Sequence, residues 1–530
     1  MHWSDVVAQR LSERGSKHIV STGITPSGEF HIGHLREILT GDMITKAAKK
    51  AGLDVEFVFI VDSADPLRKV YSFLDDSYSN YIGHQLKQIP PPDEDGRPDM
   101  ERFSQGISYA DHFLEPFKQA LQQIDVRPRF IDNFDAYASG KFAETARIAC
   151  NNANNIREII ERVSSRELSD DWFPWNPIDS KGSIDGVRVT GWNDPIVSWV
   201  DSEGNEGTSD VTKGEGKLPW RIDWPAKWAW IGVTMEPFGK DHGAAGGSYD
   251  TGKEIVELFG REAPVDLTYE WISLRGQGAM SSSSGNTIGP LEALSLVPPE
   301  ILRYLVASTK PNKAIEFDTG MGLVNLADEF ERTTGRDFSI EMQKEGLSRR
   351  QSVALEDAKT ALDLSLISPL EETSTVTFRH LAMLAQTKSK DDDVWTSLDL
   401  GSNIPQSMID RLHRMRTWIA SRHFPDELRI TILEEPNSEA IALLDDDNVA
   451  ILPNLIENLA ACDWVASSIQ SSISDAAKSL DMSPRHAYRA LYLCIMGTER
   501  GPRLPTILTE LEQSSIVNLL NACLQSKKES

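Results

Sequence analysis

Apolar positions along the chain follow two rhythms at first and one later. A short apolar run from His18 to Ser21 predicts a strand. A helical period follows, with Leu35, Ile38, Leu39 and Met43 on one face and Gly52 as its stop. Val55 to Val61 is nearly continuous in β-branched and aromatic residues, the pattern of a buried parallel strand. Helical periods cover Phe113 to Ile124 and Lys141 to Val163. Trp220 to Trp228 leads into a short helix with Pro225 near its start. Strand signals return at Val233 to Met235 and Val265 to Ser273, around a polar loop over Glu236 to His242 and a helix over Glu254 to Phe259 capped by Gly260. From about Pro298 the rhythm is helical, as in Ile301, Leu302, Leu305 and Val306 and again in Arg411 to His423. Pro484 to Met496 has Ser483 as N-cap and Gly497 beyond its end. Strands alternating with helices, then helices alone, predict an α/β core followed by an all-α region.

The first strand and helix are joined by Ser21-Thr22-Gly23-Ile24-Thr25-Pro26-Ser27-Gly28-Glu29-Phe30-His31-Ile32-Gly33-His34. Glycines allow close backbone approach to a ligand, and a helix N-terminus offers free N–H groups to an anion. His31 and His34 share the first turn and can donate hydrogen bonds to phosphate. A Walker loop is excluded, because Glu29 and Phe30 follow Gly28 where Lys-Ser/Thr is required. A zinc pair lacks a third ligand nearby. Asp62 and Asp65 follow the second strand, where ligands of open α/β sheets sit; they are pocket groups or helix caps. Met280-Ser281-Ser282-Ser283-Ser284 is either a flexible linker or a second phosphate grip, with backbone N–H and hydroxyl donors.

Length and charge narrow this further. The chain has 530 residues, room for about three or four domains. No run of eighteen apolar residues offers a membrane span, and the start lacks a charged-then-apolar leader, so a cytoplasmic protein is expected. Four scattered cysteines without Cys-x-x-Cys argue against a disulfide framework and a structural zinc site. The net charge of −26 requires any nucleic-acid contact to use a local basic patch. Solubility or adaptation to high salt would each account for the acidity. Arg411, Arg414, Arg416 and Arg422 form either such a patch or a solvated face, and Arg500 and Arg503 lie in a second basic turn. Eight of the 13 tryptophans lie between Trp172 and Trp230, too many buried-type side chains for a disordered linker.

His-Ile-Gly-His with Pro26-Ser27-Gly28 ahead of it looks like the ATP signature of class I aminoacyl-tRNA synthetases. Met280 to Ser284 looks like their second signature. Together with Trp220 to Trp228, Glu236 to His242, Gly246 to Lys253 and Ala490 to Arg503, the chain resembles the archaeal-type, class I lysyl-tRNA synthetases. The resemblance implies an α/β Rossmann-type class I synthetase catalytic core with an inserted domain and an all-α C-terminal anticodon-binding domain. It divides the chain into a first catalytic half (1–90), an inserted acceptor-end-binding domain (91–218), a second half (219–290), a stem-contact region (291–345) and a helical anticodon-binding domain (346–530). It implies ATP, Mg²⁺, L-lysine and tRNA(Lys) as reactants and partners of a monomer, without protein-bound zinc.

The same resemblance assigns residues. Pro26, Ser27, Gly28, His31, Gly33, His34, Met280, Ser281 and Ser284 would bind ATP. His31, His34, Ser281, Ser282 and Ser283 would act on the phosphates. Gly23, Thr25, Trp220, His242 and Tyr269 would surround lysine, with Asp62, Asp65 or Glu236 as the acidic partner. Glutamyl enzymes carry an arginine where Gly23 stands; losing that cation suits an ammonium substrate. Two departures stand out. Ala279 and Ser284 occupy places where lysines are common, and Lys240, Lys253 or Arg275 would have to substitute. The turn at Pro177-Ile178-Asp179-Ser180-Lys181-Gly182 lacks the Cys-x-x-Cys of many relatives, so it is expected to be metal-free and held by tryptophan packing. A catalytically impaired paralogue, a glutamyl- or glutaminyl-type synthetase and a small adenylate-forming nucleotidyltransferase are the alternatives.

Overall fold

The computed structural model describes residues 1–275, 278–279, 287–368, 376–401 and 403–529. They form two compact units. The first comprises 1–294, 299–317 and 332–367, the second 295–298, 318–331 and 368–530. No helix among the described residues is long and apolar enough to cross a membrane.

The first unit is built on five parallel strands: β1 (Lys17–Ile24), β2 (Asp54–Val61), β3 (Arg129–Asp132), β4 (Met235–Gly239) and β5 (Val265–Tyr269), in the order β5-β4-β1-β2-β3. This is the doubly wound Rossmann arrangement, with its switch point between β1 and β4. β1 and β2 pair over eight residues, whereas β1 and β4 share one bridge, Val20 with Met235. Beyond that bridge the strands part and leave a crevice at their carboxyl ends. Helix α1 (Trp3–Ser12) precedes β1, α2 (Ile32–Lys50) follows it, and α3 (Tyr109–Gln123) precedes β3. α4 (Trp220–Ile231) and α5 (Ser248–Leu258) flank β4 in sequence.

Two expectations shift. β1 runs on from Ser21 to Ile24, because Ser21 and Thr22 are buried between neighbouring strands despite their polarity. Glu236 to Gly239, expected as a polar loop, belongs to the fully buried strand β4. Pro237 is tolerated there because the β1 side carries no ladder beyond Met235.

The boundary expected at residue 90 also moves. α3 packs under the sheet, with Phe117 stacked on Phe30 at 4.3 Å, and β3 pairs with β2. The Pro90 to Pro92 turn thus falls between β2 and β3, two neighbouring strands of one sheet. The stretch outside the sheet is 133–219. It holds helices Ala143–Asn151 and Ala153–Ser164 and the antiparallel strands Arg188–Asn193, Ile196–Val200 and Glu206–Asp210. Its core includes Tyr137, Phe142, Trp175, Val197 and Leu218. The 177–183 turn is closed by hydrogen bonds rather than by tryptophan. Asp179 accepts the Lys181 and Ser183 N–H groups, both at 2.8 Å, and the His84 ring donates to Lys181 O at 2.9 Å. Trp175 supports the neighbouring bridge between Asn176–Pro177 and Gly216–Lys217, donating its indole N–H to Ser209 at 2.9 Å.

The second unit contains helices and no strand among its described residues. Pro484–Met496 is capped by Ser483 and Gly497 as the sequence predicts. The basic helix Gln406–Ala420 departs from expectation. Arg411 is buried against Glu331 at 2.6 Å, and Arg416 binds Asp391 and the Ala385 and Lys388 carbonyls. Those two guanidiniums hold the unit together and do not present a basic face.

Gly252 of α5 allows close approach to α4. A Cβ there would lie 2.8 Å from the Trp228 ring, which is buried and anchored through its indole N–H to Glu236 at 2.6 Å. Gly252→Ala gains about 1 kcal/mol of helix propensity but overpacks a ring that cannot move, at about 1–3 kcal/mol. A net destabilisation of about 1 kcal/mol is expected as a lower urea midpoint.

Candidate active site

The loop between β1 and α2 is fixed at three points. Ser27 N–H bonds Thr25 O at 2.8 Å, Tyr109 donates its hydroxyl to Ser27 O at 2.8 Å, and Ile32 N–H bonds Ile288 O at 2.9 Å. His31 is the N-cap of α2. Its Nδ1 accepts the Gly33 N–H at 3.1 Å, and His34 Nδ1 accepts the His31 N–H at 3.0 Å. The rings lie 4.0 Å apart. With both Nδ1 atoms accepting, each ring carries its proton on Nε2. Burial lowers His31 to about 4, and burial with the neighbouring ring lowers His34 to about 3. Both are therefore neutral donors at pH 7. They keep these Nε2–H donors over a wide pH range.

A second cavity, of about 400 Å³, lies between Phe30 and residues 287–292. Its described lining includes His112, Phe113, Phe117, Glu29 and Glu292. Met280, Ser281, Ser282, Ser283 and Ser284 lie outside the described residues. Of the cations expected to stand in for missing signature lysines, Lys240 pairs with Glu270 at 2.7 Å and Lys253 with Asp250 at 2.8 Å. Arg275 donates its backbone N–H to Phe317 O at 3.0 Å.

The crevice at the switch point gathers the other expected residues, with one that sequence reasoning missed. Glu37 of α2 accepts the Gly23 N–H at 3.0 Å on one oxygen and the Tyr269 hydroxyl at 3.0 Å on the other. Burial pushes its carboxyl up to about 8, although both hydrogen bonds oppose that shift. Gly23 has a packing reason as well, since a Cβ there would press on Ile60 at 3.2 Å. The signal for Glu37 was its place in α2, one turn beyond Gly33 on a helix otherwise largely buried.

Trp220 stacks on Trp224 at 5.4 Å, and the His242 ring lies 5.7 and 5.5 Å from the two. This makes an aromatic wall. The three acidic candidates already have partners. Glu236 accepts the indole N–H groups of Trp224 and Trp228, and burial raises it to about 7. Asp62 accepts from Asn133 at 3.1 Å and pairs with Lys227; burial pushes its carboxyl up against that pull. Asp65 accepts the Thr25 hydroxyl at 2.7 Å and pairs with Lys217 at 3.0 Å. Among the described residues no group of three or more His, Cys, Asp or Glu is arranged to hold a metal.

The histidine geometry has a direct spectroscopic consequence. In nitrogen-correlated NMR spectra, His31 and His34 should remain Nε2–H tautomers with no titration between pH 8 and pH 5.5. A midpoint near the ordinary 6.5 would contradict the buried, backbone-bonded arrangement.

Comparison with known proteins agrees with this layout. The profile described as "tRNA synthetases class I (K)" matches residues 1–358. A lysine–tRNA ligase of Picrophilus torridus is 37% identical over 530 residues, covering 99% of each chain. Those of Thermoplasma acidophilum and Archaeoglobus fulgidus are 38% and 34% identical, covering 96% and 99% of this chain and 96% and 100% of their own. The chain belongs to the class I (K) family of tRNA synthetases.

Proposed function

We propose that the chain is a lysine–tRNA ligase, which activates L-lysine with ATP and transfers the lysyl group to the 3′ end of tRNA(Lys). The observation that carries this reading is Glu37, held between Gly23 and Tyr269 at the carboxyl ends of β1 and β5. A glutamyl-type site would need an uncommitted cation in the crevice. Lys217 and Lys227 are each shared between two aspartates instead. Three aspartates against two lysines leave one negative charge beside Glu37, an environment matched to a substrate with two ammonium groups.

In the first step a lysine carboxylate oxygen attacks the α-phosphorus of ATP, and pyrophosphate leaves. In the second a terminal ribose hydroxyl attacks the adenylate carbonyl, loses its proton and releases AMP. The chain aligns these groups and stabilises the charge that develops. His31 and His34 direct Nε2–H donors at phosphate oxygens, aided by the dipole of α2. Glu37 and the Trp220–His242 wall fix the side-chain ammonium and its aliphatic stem. Mg²⁺ carried by ATP would supply counter-charge to the phosphates. The Met280 to Ser284 segment grips the triphosphate. The 133–219 stretch covers the acceptor end, and the helical unit binds the anticodon region.

ATP–pyrophosphate exchange should respond to lysine among the twenty amino acids, tested with and without tRNA. Exchange with glutamate or glutamine, or with none, would overturn the reading. Glu37→Gln should raise the KM for lysine by about 10²- to 10³-fold, the scale of a buried charge pair losing one partner.

The pH dependence has a defined sign. Unliganded Glu37 is protonated below about pH 8, and binding an ammonium requires the carboxylate, so binding releases a proton. The KM for lysine should fall by up to about tenfold per unit from pH 6 to 8 and then level. Glu37→Gln should flatten that slope.

A further inference from the structure

Thr25 has one hydroxyl proton, and its acceptor is settled. The oxygen lies 2.7 Å from an Asp65 carboxylate oxygen, which can only accept. Thr25 therefore keeps only lone pairs for anything else it meets, and half-buried at the crevice it is an acceptor for ammonium N–H groups. The other Asp65 oxygen is 3.0 Å from the Lys217 ammonium, whose side chain is 4% exposed. Lys217 reaches Asp223 as well, at 3.4 Å. Asp223 is fully buried and bound by Lys227 at 2.7 Å and by the Tyr137 hydroxyl at 2.6 Å.

Lys217 is not part of the parallel sheet. It stands at the end of the 133–219 stretch, where Gly216–Lys217 pairs with Asn176–Pro177. Tyr137, from the beginning of the same stretch, also accepts the Leu218 N–H at 3.1 Å. Both ends of the stretch thus converge on the carboxylates beneath Thr25 and Trp220.

We propose that Lys217 is a positioning residue for amino-acid binding: acting through Asp65, it sets the Thr25 hydroxyl as an acceptor for a substrate ammonium and makes that setting depend on the seating of residues 133–219. The inference rests on the lysine-activating reading above. A lysine that merely neutralised buried charge would affect stability and all kinetic constants together. A positioning lysine acts selectively on the amino acid.

The test is a double-mutant cycle in lysine-dependent pyrophosphate exchange by the full chain. Lys217→Met should raise the KM for lysine by about ten- to a hundredfold, the scale of one charge-assisted hydrogen bond, with kcat and the KM for ATP within about twofold. Thr25→Val should do the same. The double variant should be no worse than Thr25→Val alone, because both changes remove one acceptor. Multiplying effects, or equal shifts for ATP and lysine, would overturn the proposal. Should Lys217→Met not fold, Lys217→Arg takes its place in the cycle: it keeps the charge but not the single-point geometry at Asp65. An unchanged lysine KM in Lys217→Arg would also overturn it. Wild-type chain that shows no exchange with lysine refutes the parent reading and the inference together; normal wild-type exchange with additive variants refutes only the inference.

Discussion

Four buried charges and the partly exposed Asp65 lie together beneath the crevice, and each is tied to another. Asp62 holds Lys227, Lys227 holds Asp223, Asp223 holds Lys217 and Lys217 holds Asp65. Removing water from isolated ions is costly, so such an array persists only when every member has its partners in place. That requirement constrains distant parts of the chain at once. The end of β2 supplies two carboxylates, α4 supplies Asp223 and Lys227, and the 133–219 stretch supplies Lys217 and the Tyr137 hydroxyl. Deleting one ammonium would leave two carboxylates short of compensation. The array therefore specifies how the inserted stretch meets the sheet, and it does so next to the groups that face the amino acid.

The two halves of the site solve opposite electrostatic problems. At the start of α2, neutral imidazoles offer Nε2–H donors without a formal positive charge. Across the crevice, Glu37 sits ready to ionise when a cation arrives. In the proposed reading phosphates go to the first place and ammonium groups to the second, which orients a zwitterionic substrate beside a nucleotide before any reaction begins.

Local signals were well preserved in the sequence. The caps of Pro484–Met496, the apolar run of β2 and the histidine pair at the start of α2 each depend on neighbours within a few residues. Features that depend on distant partners were hidden. Glu37 gains its meaning from Gly23, 14 residues away, and from Tyr269, 232 residues away. β4 read as a loop because Glu236 is polar, and only the two indole donors make its burial tolerable. Arg411 and Arg416 read as a basic face because Glu331 and Asp391 are remote in sequence. β3, four residues long, is too short to announce itself, so its pairing with β2 was not legible.

The single Val20–Met235 bridge makes the middle of the sheet its least reinforced seam. Most sheets are stitched by a full backbone ladder, whereas here Thr234 bonds Ile19 O through its N–H at 2.9 Å and Ile19 N–H through its hydroxyl at 3.0 Å, and beyond Val20 the Glu37–Tyr269 bond links α2 to β5. An amino acid lodged between Gly23 and Tyr269 would add contacts across that same seam. The substrate then acts as a temporary piece of the protein's own architecture, and occupancy and stiffness of the catalytic sheet become one variable.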